Sequence, residues 1–334
     1  MSTADINLSR RGFIQLGAAV GLPLLLGTDR LGATPPADGG VRLGVQTYSF
    51  RDMLGTPGDM VEKMIAAMLE LGLTECEVFE PTLQPPELSA NASWRVVAGN
   101  PTEASLFGRP PPKAAVPSAE QVANREAIRR WRLGPALEQV RLAAEKFKRA
   151  GIRVFAFNYL LKDDCTDAEV DRGFELADAL GTNLMTASTT LTMAKRTVPF
   201  VAKHQAVLAL HGHSNLTDPN QFATPESFAQ GLAMSARYRI NLDIGHFAAA
   251  GFDSIAFIRA NHKRITNLHI KDRKKNDGPN VPFGMGDTPI KPVLQLLKSQ
   301  QYPIPADIEY EYAGTGTSTQ EIRRCLTYVK SALT

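Results

Sequence analysis

The chain of 334 residues has only three cysteines, Cys76, Cys165 and Cys325, an odd number with no Cys-x-x-Cys pair. A disulfide framework and a thiolate zinc site are therefore excluded, and buried free thiols are expected. Charge of one sign is equally scarce. Lys plus Arg number 37 against 34 Asp plus Glu, and the net +3 is spread along the chain rather than gathered in a basic stripe. A nucleic-acid partner thus has no electrostatic footprint here. No segment approaches the ~20 consecutive apolar residues that a membrane-spanning helix needs. Apolar residues nevertheless make up 43% of the chain, enough for a sizeable core in one large domain or two small ones.

What is present begins with an address. Ser9-Arg10-Arg11-Gly12-Phe13-Ile14-Gln15 sets two consecutive arginines ahead of an apolar run from Phe13 to Leu26. That run is too short to cross a bilayer core of ~30 Å as a stable anchor. Pro23, Gly27 and Pro35-Pro36 suit a cleaved, unstructured leader better than a buried helix. The paired arginines followed by Phe resemble the twin-arginine export signal, which carries proteins across the bacterial inner membrane already folded. The expectation is a signal peptide and leader over residues 1–37, a periplasmic destination, membrane contact only during export, and a single domain over 38–334.

Within that domain, β-rich runs alternate with helical stripes. Residues 41–48 read as a strand, and residues 58–71 then carry Met60, Met64, Ile65, Met68 and Leu71 at helical spacing, closed by Gly72. Strand-like runs recur at 75–79, 152–157, 183–187, 206–211, 240–244, 265–270 and 306–310. Helical stretches over 137–150, 167–180, 225–238, 255–261 and 290–300 separate several of them. Eight strand–helix units in this length predict a (β/α)8 TIM barrel, with a doubly wound sheet as the alternative. The spacing is even except at residues 81–135, a loop-rich insertion with several prolines and a basic helix around Arg125 to Arg132. It leaves the carboxyl end of the second strand, where it can wall an active site.

The carboxyl ends of barrel strands open onto one mouth, so polar residues there can converge. The fifth strand ends in His211-Gly-His213, the sixth in Asp243-Ile-Gly-His246, the seventh in His269-Ile-Lys271-Asp272 and the eighth in Glu309-Tyr-Glu311. Taken singly, each would be an ordinary hydrogen-bonded residue. Repeated at four successive strand ends, His211, Asp243, His269 and Glu309 form a mixed nitrogen and oxygen set suited to one divalent ion: Mn, Co, Fe, Zn or Mg. Such an ion at a sugar carbonyl and its neighbouring hydroxyl stabilises, by several kcal/mol, the charge left when the adjacent carbon loses a proton. Glu309, Glu311, His213 and His246 are candidates for the group that takes the proton. Glu309 and Glu311 are two apart and share a face. Lys271, two past His269, can polarise an oxygen or assist a leaving group, or can instead be a rim lysine paired with Asp272. Glu77 on the second strand is a further inward candidate for substrate contact, as is His246.

The runs Leu242-Asp-Ile-Gly-His246, Asn267-Leu-His-Ile-Lys-Asp272 with Phe283-Gly-Met-Gly-Asp287, and Asp307-Ile-Glu-Tyr-Glu311 resemble the sugar phosphate isomerase/epimerase superfamily of xylose isomerase-like barrels. The resemblance covers about residues 41–330. It implies a metal-dependent barrel acting on a small carbohydrate; the superfamily includes ketose 3-epimerases, inosose dehydratases, apurinic endonucleases and enzymes that cleave 3-keto-glycosides. In the ketose epimerases Glu, Asp, His and Glu from the fifth to eighth strands hold the metal, and the two glutamates also move the proton. Asp243, His269 and Glu309 match three of those positions, whereas His211 departs from the fourth. That departure leans from an isomerase or epimerase toward a lyase or hydratase, with Glu309, Glu311, His213 and Lys271 as the catalytic set and His246 and Glu77 toward substrate. A phosphodiesterase would need further His and Glu ligands and a basic groove. A non-catalytic sugar-binding protein remains a distinct class, and association of copies of the chain is left open.

Overall fold

Eight parallel strands, β1 (Leu43–Gln46), β2 (Glu75–Phe79), β3 (Arg153–Asn158), β4 (Leu184–Ser188), β5 (Val207–His211), β6 (Tyr238–Asp243), β7 (Ile265–Ile270) and β8 (Ala306–Ile308), close into one barrel in which β8 pairs with β1. The computed structural model describes residues 40–90 and 118–334. The expected export signal with Arg10 and Arg11, and the middle of the 81–135 insertion, lie outside those residues. No helix among the described residues is long and apolar enough to cross a membrane. Closure of the barrel rules out the doubly wound sheet.

The helices form where apolar residues recur at helical spacing. Met60, Met64, Ile65, Met68 and Leu71 are all buried in the helix Met60–Leu71, which Asp59 caps at its start and Gly72 at its end. The first strand, read over 41–48, is regular only over Leu43–Gln46, because a 3-10 helix takes over at Thr47, and other boundaries shift as well. The helix read over 225–238 stops at Met234, because Ser235 turns extended and Tyr238 already begins β6. Ile244 leaves the sixth strand for the short helix Ile244–Ala249, which Asp243 caps. The regular part of β8 ends at Ile308, although the Glu309 N–H still bonds the Ile270 carbonyl. Helices Leu191–Lys203 and Ser318–Leu333 complete the ring, the former continuing through Pro199.

From the insertion, the helix Ala119–Leu133 is the expected basic one, opened by a capping box of Ser118 and Gln121. Its Arg132 is buried and pairs bidentately with Glu80 just past β2, Nε to Oε1 at 2.7 Å and Nη2 to Oε2 at 2.7 Å. Arg125 and Arg129 reach Glu169, which also accepts from Arg132. A polar side chain left unpaired here would be costly, so the insertion helix is held in one place over the second and third strand ends.

Candidate active site at the carboxyl ends of the strands

The alternation of a strand carries Asn241 and Asp243, Asn267, His269 and Lys271, and Asp307, Glu309 and Glu311 toward the barrel axis, two residues apart. Register then levels them. Asp243 lies opposite His269 across β6 and β7, and His269 opposite Asp307 across β7 and β8. The barrel interior at this level is therefore polar rather than filled by branched aliphatic side chains.

The deepest layer is a carboxylate. Glu77, fully buried, accepts from Thr186 Oγ1 at 2.6 Å, Asn158 Nδ2 at 3.0 Å, Asn267 Nδ2 at 2.7 Å, Asn241 Nδ2 at 3.1 Å and His269 Nε2 at 2.8 Å. It does not line the cavity above, so the expected substrate contact is corrected: both of its oxygens are taken by the barrel's own donors. Burial opposes its charge, but His269 and Thr186 outweigh that and hold its carboxyl below the ordinary range. Beside it, burial and the Glu77 charge push Asp307 well above its ordinary value.

Above this floor His211, Asp243, His269 and Glu309 come together as expected, all buried, each offering one ligand atom within 4.8 Å of the others. His211 Nε2 is 3.0 Å from His269 Nδ1 and 3.7 Å from Asp243 Oδ2, and Glu309 Oε2 is 3.0 Å from His269 Nδ1. The motif's local geometry explains which atoms face inward. Asp243 Oδ1 accepts the His246 N–H at 2.8 Å as a helix cap, leaving Oδ2 for the centre. Glu77 takes the Nε2–H of His269, leaving Nδ1 for the centre, the arrangement that orients metal-binding histidines. Ser188 Oγ sits 3.3 Å from His211 Nδ1 and leaves Nε2 for it. Asp243 Oδ2 and Glu309 Oε2 are buried without a well-aligned hydrogen bond, and their near neighbours are the His211 and His269 imidazoles and the Lys271 ammonium. Two imidazole nitrogens and two such carboxylate oxygens are a donor set that could hold a divalent transition ion.

Lys271 enters from the mouth side. Its ammonium lies 3.1 Å from Asp243 Oδ2 and 3.0 Å from Glu309 Oε2 and is hydrogen-bonded to Glu311. The alternative pairing with Asp272 is not formed, because that carboxylate accepts the N–H groups of Gly284, Gly286 and Thr288. Here the Phe-Gly-Met-Gly-Asp run finds its physical reason: a Cβ on Gly286 would lie 1.9 Å from Asp272 Oδ1. Likewise a Cβ on Gly245 would lie 2.3 Å from Lys271 Cγ, so the Asp-Ile-Gly-His run needs glycine where Lys271 passes. Burial disfavours charge on Lys271, but Asp243, Glu309 and Glu311 together raise its affinity for the proton. Burial acts on Glu309 too, yet Lys271 and His269 bring its carboxyl down to about 2. His269, between Glu309 and Glu77, is raised well above the ordinary histidine value despite its burial.

His246 and His213 complete the ring of imidazoles, 5.1 Å apart between centroids. Burial drives both well below the ordinary value, so both are neutral. Arg273 Nη1 lies 2.6 Å from His246 Nδ1, which must accept, so Nε2 carries the hydrogen and points toward Lys271 and Asp243. Arg273 and Ser214 were not among the residues expected, nor were Asn158, Thr186, Asn241 and Asn267. Period-two spacing from Asp243, His269 and Lys271 would have found Asn241, Asn267 and Arg273.

Over these groups opens a cavity of about 860 Å³ lined by His211, His213, His246, His269, Lys271, Glu309 and Glu311 on one side, and by residues following β1 to β3 and from the insertion helix on the other. Residues 129–331 match the family model described as xylose isomerase-like TIM barrel. The chain belongs to this family. As a xylose isomerase-like barrel it is similar in fold to the IolI protein with a bound zinc atom, at 14% identity and a TM-score of 0.56 over 88% of this chain and 98% of that one. The 3-keto-D-glucoside 4-epimerase of E. coli aligns at 13% identity and 0.55 over 87% and 99%. A probable 3-DHS dehydratase of Bacillus anthracis aligns at 15% identity and 0.54 over 86% and 99%. At these identities the likeness is one of fold. No curated relative matches the sequence.

Proposed function

We propose that this xylose isomerase-like barrel is a divalent-metal-dependent enzyme of isomerase or epimerase type, abstracting a proton next to the carbonyl of a keto sugar or oxidised glycoside. The observation that carries the reading is the convergence of two buried carboxylate oxygens, Asp243 Oδ2 and Glu309 Oε2, with two imidazole nitrogens, all within 4.8 Å of one another. A divalent ion held by His211, Asp243, His269 and Glu309 would supply charge stabilisation at the carbonyl oxygen. The protein supplies the rest. Glu309 stands at the junction of the four ligands and the open cavity and is the base at the carbon proton. Lys271 presents a charged N–H to a substrate oxygen, and Glu311 fixes its ammonium and meets the sugar at the rim. His246, neutral with its hydrogen on Nε2, donates to a hydroxyl, and neutral His213 accepts from one. Structural neighbours named as an epimerase and as a dehydratase support chemistry of this range on this fold.

A carbon–oxygen lyase is the second reading. His211 stands where the ketose epimerases place a glutamate, so one face of the deprotonated carbon lacks a carboxylate, while Lys271 can protonate a departing oxygen. Incubation of the metal-loaded protein with ketoses, inososes and 3-keto-glycosides in D₂O separates the readings. Deuterium at the carbon beside the carbonyl is expected in recovered sugar for an epimerase, whereas a lyase loses that hydrogen together with the departing β-oxygen and yields an unsaturated product. Glu309→Gln should lower turnover by at least ~10²-fold, beyond any loss of bound metal, and Glu311→Gln should mainly raise KM. Neither exchange nor elimination in any sugar, with metal loaded, would reject both.

A further inference from the structure

Two polar side chains in the cavity wall lack partners in a place where partners are expected. Gln84, in the turn after β2, is 3% exposed, yet neither its Nε2 nor its Oε1 is hydrogen-bonded. Thr189, just past β4, is 5% exposed and its Oγ1 is likewise unpaired. Both line the 860 Å³ cavity. Buried amides and hydroxyls are almost always satisfied, and an orphan aimed into a cavity marks a ligand group that completes it. β2 lies diametrically across the closed barrel from β6, so Gln84 faces the proposed reaction centre from the far wall.

The surroundings of Gln84 define the ligand. Tyr48, following β1, and Phe79, at the end of β2, form an edge-to-face pair, centroids 5.3 Å apart, and line the same cavity as Gln84. An amide offers a donor and an acceptor side by side, which matches neighbouring hydroxyls. The arginines of this wall are already engaged, Arg132 with Glu80 and Arg125 with Asp164 and Glu169, whereas Lys162 meets the Ser188 carbonyl at 3.4 Å and keeps N–H groups for a ligand. A phosphate would have no uncommitted guanidinium to meet, and of the cations on this wall Lys162 alone could meet it. The cavity lies near the upper end of the ~300–1,000 Å³ range for ligand sites, far more than one pyranose ring fills.

We infer that the wall carrying Gln84 and Thr189 is a second, neutral sugar subsite, so that the substrate is a disaccharide-type glycoside whose second ring lies against Tyr48 and Phe79. This rests on the proposed reading of the site as one for sugars, and it names the class of sugar. The test is calorimetric titration of the full chain with methyl glucoside, phenyl glucoside, maltose, cellobiose and glucose 6-phosphate. At least one disaccharide should bind about tenfold or more tighter than methyl glucoside, and Gln84→Leu should remove most of that advantage while leaving methyl glucoside unchanged. Because the amide has no protein partner, Gln84→Leu should melt no lower than the parent, which a structural role would not allow. Thr189→Val provides the same reading if Gln84→Leu fails to fold. Disaccharides no tighter than methyl glucoside, tightest binding of glucose 6-phosphate, or a phenyl glucoside preference insensitive to both variants would each overturn the inference. The titration needs no turnover: a disaccharide preference without proton exchange removes the proposed reaction and keeps the subsite, and exchange without that preference does the reverse.

Discussion

The two walls of the barrel mouth handle polarity in opposite ways. On the side of β5 to β8, charged groups are packed against one another: Lys271 among Asp243, Glu309 and Glu311, and His269 between Glu309 and Glu77. Across the cavity, the charges of Arg132, Glu80, Arg125 and Glu169 are spent on holding the insertion helix, and the opening is lined by the Gln84 amide, the Thr189 hydroxyl and two aromatic rings, with Lys162, Asp163 and Asp164 beside them. Fixed charge stabilises charge that develops during a reaction, because the dipoles and ions are oriented beforehand. Neutral amides beside apolar rings recognise a ligand without altering its reactivity. The contrast separates a reacting wall from a recognising one.

The largest effect should come from removing the reacting wall's nitrogen and oxygen donors together. Asp243→Ala combined with His269→Ala should abolish stoichiometric divalent-ion binding by calorimetry and metal analysis. Binding that survives both changes would place the ion elsewhere. The double variant should keep its sugar affinity on the recognising wall, which makes the comparison itself the control.

The reacting wall was legible in the sequence for a geometric reason. Its groups sit on or just past regular strands, where a two-residue period and a shared mouth fix their direction before any contact is known. The same logic placed the strands 75–79 and 265–270 to the residue. It failed for Glu77, whose inward direction was right but whose depth was not: that depends on donors from Thr186, Asn241 and Asn267, between 109 and 190 residues away in sequence. The recognising wall was illegible because Gln84 stands in an irregular turn and Arg132 on an inserted helix whose docking the strand alternation does not fix. The helix Leu191–Lys203 was hidden by Pro199, which ordinarily ends a helix.

A smaller effect sharpens how deep the reacting wall extends. If Glu77 orients His269 by taking its Nε2–H, Glu77→Gln should weaken divalent-ion affinity by about 10- to 100-fold, the usual cost of losing such a partner. Nitrogen-15 NMR of the His269 ring should then show a mixture of tautomers in place of one. An unchanged ring spectrum with unchanged affinity would reduce Glu77 to filling the barrel floor.

The smallest effect concerns what holds the recognising wall. Burial disfavours charge on Glu169, but hydrogen bonds from Arg125, the Thr166 backbone and Arg129 more than compensate and lower its carboxyl from 4.5 to about 2. A carboxyl depressed in the folded protein binds protons more weakly there than in the unfolded chain. Its contribution is therefore complete above pH 4.5 and is lost as pH falls from there toward 2. Solvent reaches Arg125 and Arg129, so the loss should be only about 1–2 kcal/mol rather than the full value implied by the shift. Denaturant melts followed between pH 6 and pH 2.5 should show that decrement in the parent protein, and Glu169→Gln should remove most of this slope while lowering stability at neutral pH. Hydrogen exchange should assign the acid loss to the helix Ala119–Leu133 before any barrel strand opens, since the strands are bonded on both sides and the helix is pinned through its arginines. A Glu169→Gln variant that keeps the parent's acid slope, or a barrel that opens before the helix does, would show that the recognising wall is held by packing instead of by this ion cluster.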